Sequence, residues 1–65
     1  MELAHLAAFV AVADAGGFSA AADTLHLTQP AVSKRIAQLE AELAIRVFDR
    51  VGRQVLLTEA GQLLL

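Results

Sequence analysis

The sequence has no cysteine, no tryptophan and no tyrosine, and a single proline. Without cysteine, a disulfide framework and a thiolate zinc site are both excluded. The two histidines, His5 and His26, stand far apart in the chain. Both are expected on helix surfaces, partly exposed, with no metal site between them. No stretch approaches the roughly 18 uncharged apolar residues that a membrane span needs. The first residues, MELAHLAAFVAVADAGG, contain Glu2 and no lysine or arginine, so they lack the basic start of a signal peptide. They read as a helix of the mature protein, and the chain is expected in the cytoplasm.

Positive charge is also scarce, and its placement is informative. The formal net charge is −2, which by itself disfavours a nucleic-acid partner. Yet the first 33 residues hold Glu2, Asp14 and Asp23 and no basic residue, whereas Lys34, Arg35, Arg46, Arg50 and Arg53 all fall between positions 34 and 53. Binding responds to the local field and not to the total. A solvated basic surface is the plainer alternative for the same cluster.

What the chain has in abundance is apolar residues, at 57 %. That excludes disorder, which requires low hydrophobicity and high net charge. A chain of 65 residues makes one small domain, and domains of this size bury only roughly 60 % of the surface they expose when unfolded. Residues 2–15 predict a first helix with a stripe of Leu3, Leu6, Val10 and Ala13, and Phe9 alongside. Gly16-Gly17 ends it. Ser19 reads as the N-cap of a short second helix over about residues 20–26, where Ala20, Ala21 and Ala22 let a neighbouring helix approach closely.

Thr28 is the next cap, with Gln29 and Pro30 in a first turn where the missing proline N–H costs nothing. The third helix is expected to run to about Leu43. Val32, Ile36, Leu39 and Leu43 form its apolar stripe. At about 100° per residue, Pro30, Lys34, Ala37 and Ala41 point away from that stripe, while Gln29 and Ser33 flank it. This small, polar outward face suits insertion into a groove.

The period then changes. Residues 45–48 and 54–57 predict two short strands around a basic tip containing Gly52. Thr58 caps a further helix, with Glu59 near its positive end and Gly61 a weak point within it. The sequence stops in mid-helix at Leu63-Leu64-Leu65, as expected of a piece of a longer chain. The assigned core is Leu6, Phe9, Val10, Phe18, Leu25, Val32, Ile36, Leu39, Leu43 and Phe48. The expected fold is mainly α: a three-helix core with a small two-stranded hairpin, in the order of a winged helix-turn-helix. In that arrangement the third helix offers its N-terminal end to the major groove, whose width admits one helix.

The segments FSAAADTLHLTQPAVSKRIAQLEAEL and VFDRVGRQVLLTEAG closely resemble the N-terminal domain of the LysR-type transcriptional regulators of bacteria. The resemblance covers nearly the whole chain. It rests on Phe18-Ser19, Ala21-Ala22, Leu25, residues 28–33, Ile36, Leu39-Glu40, Leu43, Phe48, Arg50, Arg53, Leu57-Thr58 and Ala60-Gly61. Two positions depart from it. Ala44 stands where the family usually has glycine, so the third helix is expected to end less sharply. Lys34 replaces an arginine, offering a point charge without the bidentate fork.

The resemblance implies a sequence-specific DNA-binding domain over residues 1–57, with residues 58–65 starting a linker helix through which such proteins form homodimers or homotetramers. It also implies a small-molecule effector bound by a C-terminal domain outside this sequence, and no cofactor within it.

Gln29, Pro30, Ser33 and Lys34 are the candidates for base readout. Gln bonds bidentately to adenine, Ser to several base edges, and Pro meets a thymine methyl. Each also has a plain structural explanation: capping, a solvated helix surface, or a rigidified first turn. Ser19, Thr28, Arg35, Arg50 and Arg53 are candidates for the DNA backbone or, at the wing, the minor groove. Ser19 and Thr28 are caps first, Arg35 serves equally well in an intramolecular ion pair, and Arg50 has Asp49 or Glu40 as alternative partners. A helical protein-interaction or dimerisation module is the alternative function. An enzyme has no support, for there is no His–carboxylate constellation and no glycine-rich phosphate loop.

Overall fold

Helix α1 (Leu3–Ala15) opens a computed structural model that describes residues 2–52 and 54–65. It ends where expected. Gly16 takes φ +74° and returns its N–H to the carbonyl of Val12. The face it buries is a different one. His5, Ala8, Phe9 and Val12 are buried, whereas Leu3 is 84 % and Val10 45 % exposed, so Val10 leaves the core. Both sets have helical spacing. In a helix apolar nearly all round, periodicity alone does not select the inward face.

The first turn shows why His5 faces inward. Its side chain is only 7 % exposed, correcting its placement on the surface. Nε2 lies 3.0 Å from Oε1 of Gln38, which ties the start of α1 to the third helix. Nδ1 sits 3.0 Å from a Glu42 carboxylate oxygen, close enough for charge attraction but without hydrogen-bond geometry. Glu2, three residues earlier, approaches to 3.7 Å.

Helix α2 (Phe18–Leu25) starts before Ser19. Gly17 holds the N-cap position and no side chain caps the helix, so Ser19 is not the cap. Helix α3 (Gln29–Leu43) has the expected bounds, and the Thr28 hydroxyl accepts from the Ala31 N–H at 3.2 Å. Both helices close in the same way. His26 (φ +56°) and Ala44 (φ +55°) adopt the left-handed conformation, and the following residues, Leu27 and Ile45, donate back to Ala22 and Glu40. This is the Schellman closure, here made without glycine. The end of α3 is therefore sharply defined, contrary to expectation from Ala44.

Strands β1 (Phe48–Val51) and β2 (Gln54–Leu57) pair antiparallel, Phe48 opposite Leu57 and Val51 opposite Gln54. The first strand begins later than the sequence predicts, because residues 45–47 have other partners. Ile45 belongs to the helix closure, while the Val47 N–H donates to the Glu40 carboxylate at 2.8 Å and only its carbonyl extends the ladder, accepting from the Thr58 N–H at 3.0 Å. Helix α4 (Glu59–Leu64) follows, capped by the Thr58 hydroxyl, which accepts from Gly61 and donates to the Arg46 carbonyl. Gly61 is buried, and a Cβ there would collide with the Val47 carbonyl and the Leu57 side chain. It is a point of close approach and not simply a weak link.

The core gathers Phe9 and Val12 of α1, Phe18 and Ala21 of α2, Val32, Ile36 and Leu39 of α3, and Val47 and Phe48 from the wing. Leu25 and Leu43 pack against its edge, half-buried. The Phe48 ring lies 5.3 Å from that of Phe9 and 6.1 Å, edge to face, from that of Phe18.

Phe9→Ala is expected to cost about 3–5 kcal/mol in urea denaturation, against under about 1 kcal/mol for Val10→Ala. Equal losses would return Val10 to the core. Ala44→Gly should raise stability by about 1 kcal/mol, by relieving a left-handed residue that carries a Cβ.

Candidate nucleic-acid interface

The start of α3 projects from the body because its apolar stripe begins only at Val32. Thr28, Gln29, Pro30 and Lys34 are exposed, and Ser33 is half-buried on the flank. This matches the outward face expected from the sequence. Arg35 is half-buried on another side.

Two grooves adjoin this end of the helix. The first runs between the starts of α2 and α3 and the wing. Gly17, Phe18, Ser19 and Gln29 form one wall, and Arg50, Gly52, Gln54 and Val55 the other. The second lies between the middle of α3 and β1, where Ser33, Ala37 and Glu40 face Arg46, Phe48 and Arg50. The fold thus gathers Ser19, Gln29, Ser33 and Arg50 along one surface, although they span 32 positions of sequence. Thr28 is occupied as the cap of α3. Arg53 lies outside the described residues.

Arg50 pairs with neither Asp49 nor Glu40. Its guanidinium carbon sits 4.6 Å from the centre of the Phe18 ring, a cation–π contact that holds the charge over the first groove. Arg46 takes Asp49 instead, at 3.8 Å, and donates to the Phe48 carbonyl at 3.4 Å. Arg46 is absent from the DNA-contact candidates that the sequence offers. It precedes the strand and lines the second groove, and its membership of the basic cluster was the available signal.

Glu40 was missed altogether as an organising residue. One carboxylate oxygen accepts from the Val47 N–H at 2.8 Å and from the Phe48 N–H at 3.4 Å. The wing therefore hangs from α3 through a charge-assisted bond as well as through Phe48. Helical periodicity does not distinguish Glu40 from Glu42, two residues further on; its place among the residues that carry the family resemblance was the available signal. Among the described residues, no group of three or more His, Asp or Glu is placed to hold a metal ion, and no helix is long and apolar enough to cross a membrane.

Residues 3–62 match the family described as bacterial regulatory helix-turn-helix protein, lysR family. The chain belongs to the lysR family. A related protein of Azotobacter vinelandii, an uncharacterized HTH-type transcriptional regulator in the ibpB-leuC intergenic region, is 66 % identical across all of this chain and 45 % of its own length. The RuBisCO operon transcriptional regulator of Allochromatium vinosum is 48 % identical over 95 % of this chain and 20 % of its own length. The chain therefore spans less than half of these lysR-family relatives. Among solved structures, the CbnR_DBD-DNA complex superposes with a TM-score of 0.94 at 41 % identity, covering 98 % of this chain and 74 % of that one. The BenM_DBD/catB site 1 DNA complex gives the same TM-score at 44 % identity, covering 98 % and 72 %. The winged helix-turn-helix expected from the sequence is the fold of this lysR-family chain.

Glu40→Ala removes the acceptor for both wing N–H groups and should cost about 1.5–3 kcal/mol in chemical denaturation. Glu40→Gln, which keeps a carbonyl oxygen at the site, should recover part of the loss. A neutral Glu40→Ala would show that Phe48 alone secures the wing.

Proposed function

We propose that this chain is the sequence-specific DNA-binding domain of a LysR-type transcriptional regulator, with the N-terminal end of α3 in the major groove. The observation that carries the proposal is the juxtaposition of the exposed residues Gln29, Pro30 and Lys34 and the half-buried Ser33 with a wing whose Arg50 is held over the adjoining groove. A helix of this size fits the major groove, and flanking cations neutralise phosphates on either side. The lysR-family relatives described as transcriptional regulators, and the solved DNA complexes of CbnR and BenM, support the same reading.

In this reading Gln29, Pro30, Ser33 and Lys34 contact bases. Thr28, Arg35 and Arg50 serve the phosphate backbone, and so does Arg53, by its place in the sequence. Residues 1–57 form the DNA-binding unit, and α4 begins a linker that pairs with a second copy. Leu63 and Leu65, 83 % and 63 % exposed, are apolar surface suited to such an interface. An effector-binding domain accompanies this segment in the whole regulator, which acts in the bacterial cytoplasm, and the segment itself carries no catalysis.

Affinity for DNA should fall steeply and linearly with the logarithm of salt concentration, at about 0.9 in slope for each phosphate neutralised. Sites selected from a random pool should tell base readers from backbone contacts. Gln29→Ala or Ser33→Ala should cost about 1–3 kcal/mol at one base pair and relax preference there, while Arg53→Ala weakens binding evenly across sequences. Equal loss on selected and random DNA for Gln29→Ala would remove Gln29 from base readout. Binding insensitive to salt would defeat the function itself.

A further inference from the structure

The Ser19 hydroxyl donates to Oε1 of Gln29 at 3.1 Å. Among the described residues this is the sole side-chain hydrogen bond between α2 and α3. Ser19 sits in the first turn of α2, where a hydroxyl ordinarily serves as a cap. Here Gly17 occupies the cap position, and Ser19 is released for another use. Both residues are exposed and lie on the same wall of the first groove.

A carboxamide carries its acceptor oxygen and its two N–H donors on opposite ends of one plane. Anchoring the oxygen on Ser19 turns the Nε2 donors of Gln29 away from α2. We infer that Ser19 is a positioning residue for sequence readout: it fixes the orientation of Gln29, so that Gln29 presents donors to the DNA. The bidentate adenine contact needs the oxygen and the nitrogen on the same base edge, one accepting from N6 and the other donating to N7. With its oxygen turned toward Ser19, Gln29 instead favours a base edge with two adjacent acceptors, guanine O6 and N7. Ser19 thus contributes to specificity without touching a base. This inference rests on the reading of Gln29 as a base contact.

The test is selection from a random DNA pool by the unaltered protein, Ser19→Ala and Ser19→Thr, followed by affinities on the selected site and on random DNA across a salt series. The unaltered protein should prefer a G·C pair over an A·T pair at the position that Gln29→Ala identifies. Ser19→Ala should flatten preference at that pair alone and weaken the selected site roughly three- to ten-fold, the effect of one neutral hydrogen bond. Random-DNA affinity and salt slope should stay unchanged. Ser19→Thr, which keeps the hydroxyl, should restore the preference. Adding Ser19→Ala to Gln29→Ala should cause no further loss. Alanine is a strong helix former, so the Ser19→Ala domain should fold.

Three results would overturn the inference: unchanged preference in Ser19→Ala, an A·T preference in the unaltered protein, or an equal loss on both DNAs with a shallower salt slope. The last would make Ser19 a phosphate contact. Failure of the function itself is distinguishable, because the unaltered protein would then show neither sequence preference nor salt-dependent binding before any Ser19 variant is compared.

Discussion

The Phe48 ring is the contact on which the rest of this domain depends. It is the first residue of the wing, yet it lies in the core against Phe9 of α1 and Phe18 of α2. Aromatic pairs of this kind contribute about 0.5–1.5 kcal/mol each beyond the area they bury. Their larger effect is geometric. A two-stranded hairpin is marginal alone in water, and this one acquires a fixed position by placing its first side chain between two helices. Phe18 then serves twice. One ring meets Phe48 from the interior and also lies beneath the Arg50 guanidinium at the surface. A hydrophobic contact thereby sets where a cation stands.

The same division of labour runs along α3. Val32, Ile36 and Leu39 hold it to the body, while Gln29, Pro30, Lys34 and Ala37 remain at the surface. Glu40 has no part in the apolar stripe but joins the far end of the helix to the wing. Helix and hairpin are thus tied together through residues 47 and 48, at one end of a shallow groove. Their relative placement is a rigid property of the fold, which suits recognition by shape as well as by charge. A chain with a net negative charge achieves this by confining its five basic residues to the segment that builds that groove.

Most of the architecture was legible in the sequence, because the signals for α3 agree with one another. A threonine cap, a proline in the first turn and a 4-3-4 apolar spacing all specify the same helix. Legibility failed where signals were degenerate or non-local. Helix α1 has two apolar faces, and the choice between them depends on Gln38 and Glu42 of α3, which engage His5. Glu2, three residues before His5, was a local hint that the first turn mattered. Ser19 looked like a cap because it follows two glycines. That Gly17 would take the cap position and leave Ser19 to Gln29 follows from the packing of α2 on α3, which no local pattern contains. For Arg50 the sequence offered acidic partners as the alternative to DNA, because charge is what a sequence displays. A ring 32 residues away is not.

The left-handed alanine that closes α3 bears on how this domain can change. Any alanine codon becomes a glycine codon through one nucleotide substitution, so relief of the strain at Ala44 lies a single mutational step away. Of the side chains proposed for base reading at the other end of the same helix, Gln29, Pro30 and Lys34 are exposed and stand clear of the core, whereas Ser33 is half-buried beside it, so its alteration carries some loss of stability. A lineage that takes the glycine first gains a margin in which such alterations are survivable. The choice between alanine and glycine at one helix end, remote from the proposed DNA contacts, then bears on how readily the proposed readout at the opposite end changes.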